Sequence, residues 1–257
     1  MKRILLLSCI ATMIACTPTK KSTIDTTLQS KVDSFLQNKM SEINAISGQA
    51  IVMDIQTGEV KAMVGNGQKQ SSALMRAVSI YKTLETGKIT LSDTVDTENG
   101  VVVFNSDTIF DHNWRRGGYG KITLRQGLAC ESEIAVRKAL QIAGVEAVDS
   151  LVTPLEMLKL FNGIIKNDSL KSTFRYCVTD ALGQPASSEK VEVAGLSARN
   201  IVSKVEPEYA VEFCGYFPAD EPKFSIIVSM NKIGLPASGG FMAGSVFKDI
   251  VELMNNN

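Results

Sequence analysis

Residues 48–65 read GQAIVMDIQTGEVKAMVG. Two apolar runs flank Gln56-Thr57-Gly58-Glu59, which reads as a β-hairpin whose turn takes its positive φ from Gly58. A lone hairpin is marginal in water, so its strands need partners elsewhere in the chain. Those partners lie at the other end, where VEVA (191–194), VEFCGYF (211–217) and KFSIIVSMN (223–231) return to a strand pattern. Joined to the hairpin, they predict one antiparallel sheet.

The segments between and around them read as helices. Leu28, Val32, Phe35, Leu36 and Ile43 recur at helical spacing and predict an amphipathic helix over 28–44. Helices are also expected over 72–86, with Gly87 as the stop, over 123–129, and over 133–143, closed by Gly144. Thr153-Pro154-Leu155-Glu156 is a capping box with proline at the first helical position, so another helix starts there. FMAGSVFKDIVELM (241–254) closes the chain as a helix. The expected fold class is α+β: an antiparallel sheet with helices 28–44 and 241–254 on one face and a mostly helical lobe, about 70–170, inserted between its strands.

Composition narrows the function. The chain has 257 residues, 44% apolar and 21% charged, which is ordinary for a globular protein. Lys+Arg and Asp+Glu both number 27, with no basic stripe, so no nucleic-acid partner is expected. The single histidine, His112, excludes metal sites needing two imidazoles, and no cofactor or metal is expected. Asp111-His112-Asn113 reads as a turn. Cys130, Cys177 and Cys214 are odd in number and contain no C-x-x-C pair, so they imply neither a disulfide framework nor a zinc site.

The N-terminus reads as a targeting segment. Lys2 and Arg3 precede an apolar run, Ile4 to Ile14, too short to span a bilayer. It ends Met13-Ile14-Ala15-Cys16, which resembles a bacterial lipoprotein signal. By that resemblance residues 1–15 are a signal peptide, Cys16 is the lipid attachment site and residues 16–27 are a polar tether, with a domain over 28–257. The expected location is extracytoplasmic, anchored by that lipid to a bacterial membrane.

Six segments in order resemble the transpeptidase domain of penicillin-binding proteins. They are residues 48–65, YKTLETGKITLSDTVDT (81–97), DHNWRRGGYGKITLRQGLA (111–129), VTPLEMLKLFNGI (152–164), VEFCGYFPADEPKFSIIVSM (211–230) and GGFMAGSVFKDIVE (239–252). The resemblance implies the penicillin-binding protein/β-lactamase-like fold and a cleft built from three motifs, S-x-x-K, S-x-N and K-T-G. In the family the serine is acylated by a D-Ala-D-Ala stem peptide or a β-lactam, and the lysine beside it takes the serine's proton.

Here all three motifs are replaced. The S-x-x-K positions read Ala73-Leu74-Met75-Arg76, the S-x-N positions Glu131-Ser132-Glu133, and the K-T-G positions Leu196-Ser197-Ala198. Alanine has no nucleophile and arginine is not deprotonated in proteins, so Ala73 and Arg76 cannot acylate. A fallback pair, Ser79 and Lys82, keeps the bare S-x-x-K spacing but lies along the helix and restores neither other motif. The same spacing recurs at Ser187/Lys190, Ser229/Lys232 and Ser245/Lys248.

The expectation is therefore a catalytically inactive, penicillin-binding-protein-like lipoprotein that acts by binding in peptidoglycan or envelope biogenesis. Its ligand would be a stem peptide or an envelope protein. The alternative is an active D,D-transpeptidase, D,D-carboxypeptidase or β-lactamase using another serine. Replacing the lysine by Arg76 and the loop positions by Glu131 and Glu133 also predicts an ion pair across the cleft, Arg76 with Glu133 in particular. Cys130 beside the cleft is a candidate thiol, and Trp114 with Arg115 and Arg116 a candidate stacking surface or an exposed loop tip.

Overall fold

The computed structural model describes residues 22–256 apart from 105, 149 and 204. The signal segment, Cys16 and the first part of the tether lie outside the described residues. Helix α1 (Thr26–Ile43) starts at an Asp25 cap, whose side chain accepts from the N–H groups of Thr27 and Leu28. Thr26 and Thr27, read as tether, belong to this helix.

Strands β1 (Ala45–Asp54) and β2 (Val60–Gly65) form the expected hairpin, with Gly58 at φ 71°. The lobe then follows in chain order: β3 (Gln70–Ser71), α2 (Met75–Glu85), β4 (Thr94–Asp96), β5 (Val101–Phe104), β6 (Asp107–Phe110), β7 (Lys121–Thr123), α3 (Leu124–Ala129), α4 (Glu133–Ala143), β8 (Leu151–Val152), α5 (Pro154–Ile164) and α6 (Asp168–Thr179). The chain returns to the sheet through β9 (Ala194–Ser203), β10 (Glu208–Phe217) and β11 (Phe224–Ile233), and ends in α7 (Ser245–Met254). The main sheet has the order β2-β1-β11-β10-β9, and β11 pairs antiparallel with both β1 and β10. Terminal segments of the chain thus meet in one sheet, as the strand pattern requires.

Both faces of the sheet are covered, which explains why its inner strands read as near-continuous apolar runs. Ile51, Cys214 and Ile227 face the lobe, packing with Leu74, Leu128 and Phe161. Their neighbours Val52, Phe213 and Val228 face the other way, against Leu36 of α1 and Phe247 of α7. Phe213 and Phe247 pack with tilted rings, centroids 4.7 Å apart.

Three expectations are corrected. β9 begins at Ala194, so most of VEVA precedes the strand. Its inner half (Ala194 to Ala198) is buried beneath the lobe while Ile201 and Val202 at its outer end are exposed, which is why no clean period shows in the sequence. The lobe continues past residue 170 into α6, where Leu170, Phe174, Cys177 and Val178 are buried at helical spacing. The terminal helix starts two residues earlier than expected and in another form: Gly239–Gly244 make a π-helical turn that runs directly into α7. A Cβ on Gly239 would lie 2.4 Å from the carbonyl oxygens of both Ala198 and Glu212, so this turn rests directly on the sheet backbone.

Candidate functional site

Most of the residues read from the sequence as replaced motif positions lie together where the lobe meets the edge strand β9. Ala73 lies just before α2, and Arg76 is in that helix's first turn. Thr123 caps α3 with a complete capping box, and the chain then turns through Glu131, at φ 59°, into α4. Ser132 caps α4 by accepting from Ala135 N–H, which leaves Glu133 as its first residue. Ala73, Arg76, Glu131 and Glu133 line one cavity of about 440 Å³, joined by His112, Arg137 and Arg199. Leu196 and Ala198 instead enter the lobe-facing core. Ser197 reaches the site through Glu131, donating from Oγ to Oε1 at 2.8 Å.

The expected ion pair between Arg76 and the loop acids does not form. Glu133 pairs with Arg137 one helical turn on, at 2.9 Å, and Glu131 is taken by Ser197. No carboxylate oxygen lies within 4.0 Å of Arg76 among the described residues, and its buried Nε and Nη2 have no hydrogen-bond partner there. The i,i+4 geometry of Glu133 and Arg137 on one helix face supplies a nearer cation than Arg76 across the cleft.

Sequence reasoning missed two buried carboxylates that organise this region. Glu212 of β10 is 2% exposed and sits under the start of α2. It accepts from Ser72 Oγ at 2.7 Å and from Ser229 Oγ at 3.2 Å. Burial pushes its carboxyl up to about 7, against the opposing pull of the two hydroxyls and of the Arg76 charge. The signal was present, since a lone Glu in the apolar run VEFCGYF faces a covered side of the sheet.

The second is Asp111, 1% exposed, which accepts from Ser132 Oγ at 2.7 Å and from Ile134 N–H at 3.3 Å. Its carboxyl is raised by burial. Asp111 thereby fixes the start of α4 and the loop carrying Glu131. His112, as expected, lies in a turn, but it also lines the cleft, and burial lowers its pKa.

The fallback pair is not a pair. Ser79 is buried and accepts from Val148 N–H at 3.3 Å, while Lys82 is exposed. Cys130 is half-buried and lines a separate cavity with Tyr119 and Tyr176. Burial pushes its thiol up to about 11, which leaves it poorly nucleophilic. Trp114 is partly exposed in a short 3₁₀ turn, its ring tilted against Phe110 at 5.3 Å and under Arg115 at 5.1 Å. Among the described residues no cluster of three or more His, Cys, Asp or Glu side chains is placed to hold a metal. No described helix is long and apolar enough to cross a membrane.

This architecture is that of the transpeptidase domain of penicillin-binding proteins. The chain superposes on the transpeptidase domain of Burkholderia pseudomallei penicillin-binding protein 3 with a TM-score of 0.77 and 18% identity, over 91% of this chain and 95% of that one. A peptidoglycan glycosyltransferase from Burkholderia ambifaria superposes with a TM-score of 0.76 and 18% identity, over 91% and 96% of the two chains. No protein-family model matches the chain. No curated protein matches its sequence.

Proposed function

We propose that this chain is a lipid-anchored, extracytoplasmic protein that uses a transpeptidase-like domain to bind, without acylating, in peptidoglycan or envelope biogenesis. The observation that carries this reading is the start of α2. A methyl group, Ala73, stands where the resemblance to the family puts a nucleophile, and a permanently protonated guanidinium, Arg76, stands where it puts the base. The cleft itself persists as a cavity of about 440 Å³, within the range of small-ligand sites. A stem peptide or an envelope protein is the proposed partner. Incubated with a D-Ala-D-Ala peptide, the purified domain is expected to release no D-alanine above a heat-denatured control. Release at an enzyme-like rate would overturn the reading.

One observation favours a catalytic alternative. Ser72 lines the cavity, and its Oγ donates at 2.7 Å to Glu212, a carboxyl whose pKa of about 7 suits a general base. Against it, Ser72 is 5% exposed and its oxygen accepts from Leu74 N–H at 3.3 Å, so the hydroxyl faces inward and not toward a substrate.

The anchoring part of the proposal rests on Met13-Ile14-Ala15-Cys16 and on no described structure. A Cys16→Ser variant is expected to stay unprocessed or to leave the membrane fraction. Normal processing and normal membrane fractionation of that variant would exclude lipidation at Cys16.

A further inference from the structure

The cleft carries uncompensated positive charge. Of its two acids, Glu133 is paired with Arg137 and Glu131 accepts from Ser197. Arg76 and Arg199 also line the cavity, and neither has a carboxylate within 4.0 Å among the described residues. Arg76 is the unusual one, being only 8% exposed with Nε and Nη2 unpaired. A buried guanidinium without a partner is costly, and an oxyanion brought beside it recovers much of that cost. Nε and Nη2 form one edge of a planar fork, which matches the two oxygens of a carboxylate. Both atoms are shielded from solvent, so this edge meets a ligand only when the guanidinium turns toward the cavity.

The geometry points to a binding site for a monocarboxylate on a short aliphatic stem, with Arg76 and Arg199 holding the oxygens. Charge selects the monoanion: Arg76 and Arg199 against Glu131 leave a net of one positive charge, which the buried Glu212 beside Arg76 reduces as it ionises. Partial loss of solvent and the Arg199 and Arg116 charges lower the pKa of His112, which also lines the cavity. The stem follows from the apolar part of the lining, where Val136, Leu140 and Val148 line the same cavity. This inference rests on the reading of the cleft as a binding site and not an acylating one.

The test is an NMR titration of the described domain at about pH 7 with sodium butyrate, inorganic phosphate and neutral butyramide, repeated on Arg76→Met and Arg199→Met. Methionine replaces the aliphatic stem of Arg76 and removes its buried charge, so that variant is expected to fold, as its amide spectrum would verify. The expected result is saturable butyrate binding, weaker phosphate binding, none for butyramide, and at least about a tenfold loss of butyrate affinity in each variant. Absent butyrate binding, equal binding by wild type and Arg76→Met, or tighter phosphate than butyrate would each overturn the assignment. If Arg76→Met fails to fold, Arg199→Met alone decides, and unchanged affinity there overturns it. Acylation of a serine by penicillin would sink the non-acylating reading while leaving the butyrate titration standing, so the two failures are distinguishable.

Discussion

An Asp111→Ala variant is expected to lose on the order of 3 kcal/mol of stability, because the carboxylate serves two buried donors at once. Ser132 Oγ donates to it at 2.7 Å and Ile134 N–H at 3.3 Å, and Asp111 itself is 1% exposed. Alanine leaves both donors inside the protein without an acceptor. Ser132 is also the cap of α4, so the loss reaches the loop that carries Glu131 and Glu133. Asp111→Asn separates charge from shape. Its amide oxygen can still accept from one donor, and roughly half the loss is expected. Urea unfolding of the three proteins provides the measurement. A change below about 1 kcal/mol for Asp111→Ala would show that this carboxylate does not hold the lobe together.

Glu212 sets the second large effect, and it is one of pH. Its carboxyl moves from an ordinary 4.5 to about 7 on folding, and burial is the main cause. Between those values the folded chain holds the proton more tightly than the unfolded one, so this group's stabilisation is full below about 4.5 and is lost as pH rises through about 7. The interval corresponds to about 3 kcal/mol. Asp111, also raised by burial, acts in the same sense, whereas lowering of His112 acts oppositely as its ring is protonated. The difference between wild type and Glu212→Gln cancels those contributions. Glutamine cannot ionise, so the variant is expected to be the more stable protein above about pH 7, with the gap closing toward pH 5. Parallel stability profiles for the two proteins would show that Glu212 is not buried as an acid.

What the sequence disclosed follows from which interactions are local. Gly58, Gly87, Gly144 and the Thr153 capping box act within a turn of their own position, so their elements stand where the sequence places them. The two-ended sheet was legible because strands covered on both faces read as long apolar runs. α6 was less visible, since its buried stripe is diluted by Asp168, Lys171 and Arg175 on the open face. Within the site, Ala73, Arg76, Glu131 and Glu133, assigned to motif positions by resemblance and spacing, share one cavity. The partners of those charges were not legible. Arg137 is a local neighbour of Glu133 and outcompeted Arg76, while the contacts of Glu131 to Ser197 and of Glu212 to Ser72 join residues far apart in the chain.

The central claim is that the cleft keeps its shape without its acylating chemistry. Incubation of the purified domain with a labelled penicillin, followed by intact mass measurement and peptide mapping, tests it most directly. With alanine at residue 73 and arginine at residue 76, the expected result is an unshifted mass and no labelled peptide. A stable one-to-one adduct mapped to any serine, Ser72 above all, would contradict the account.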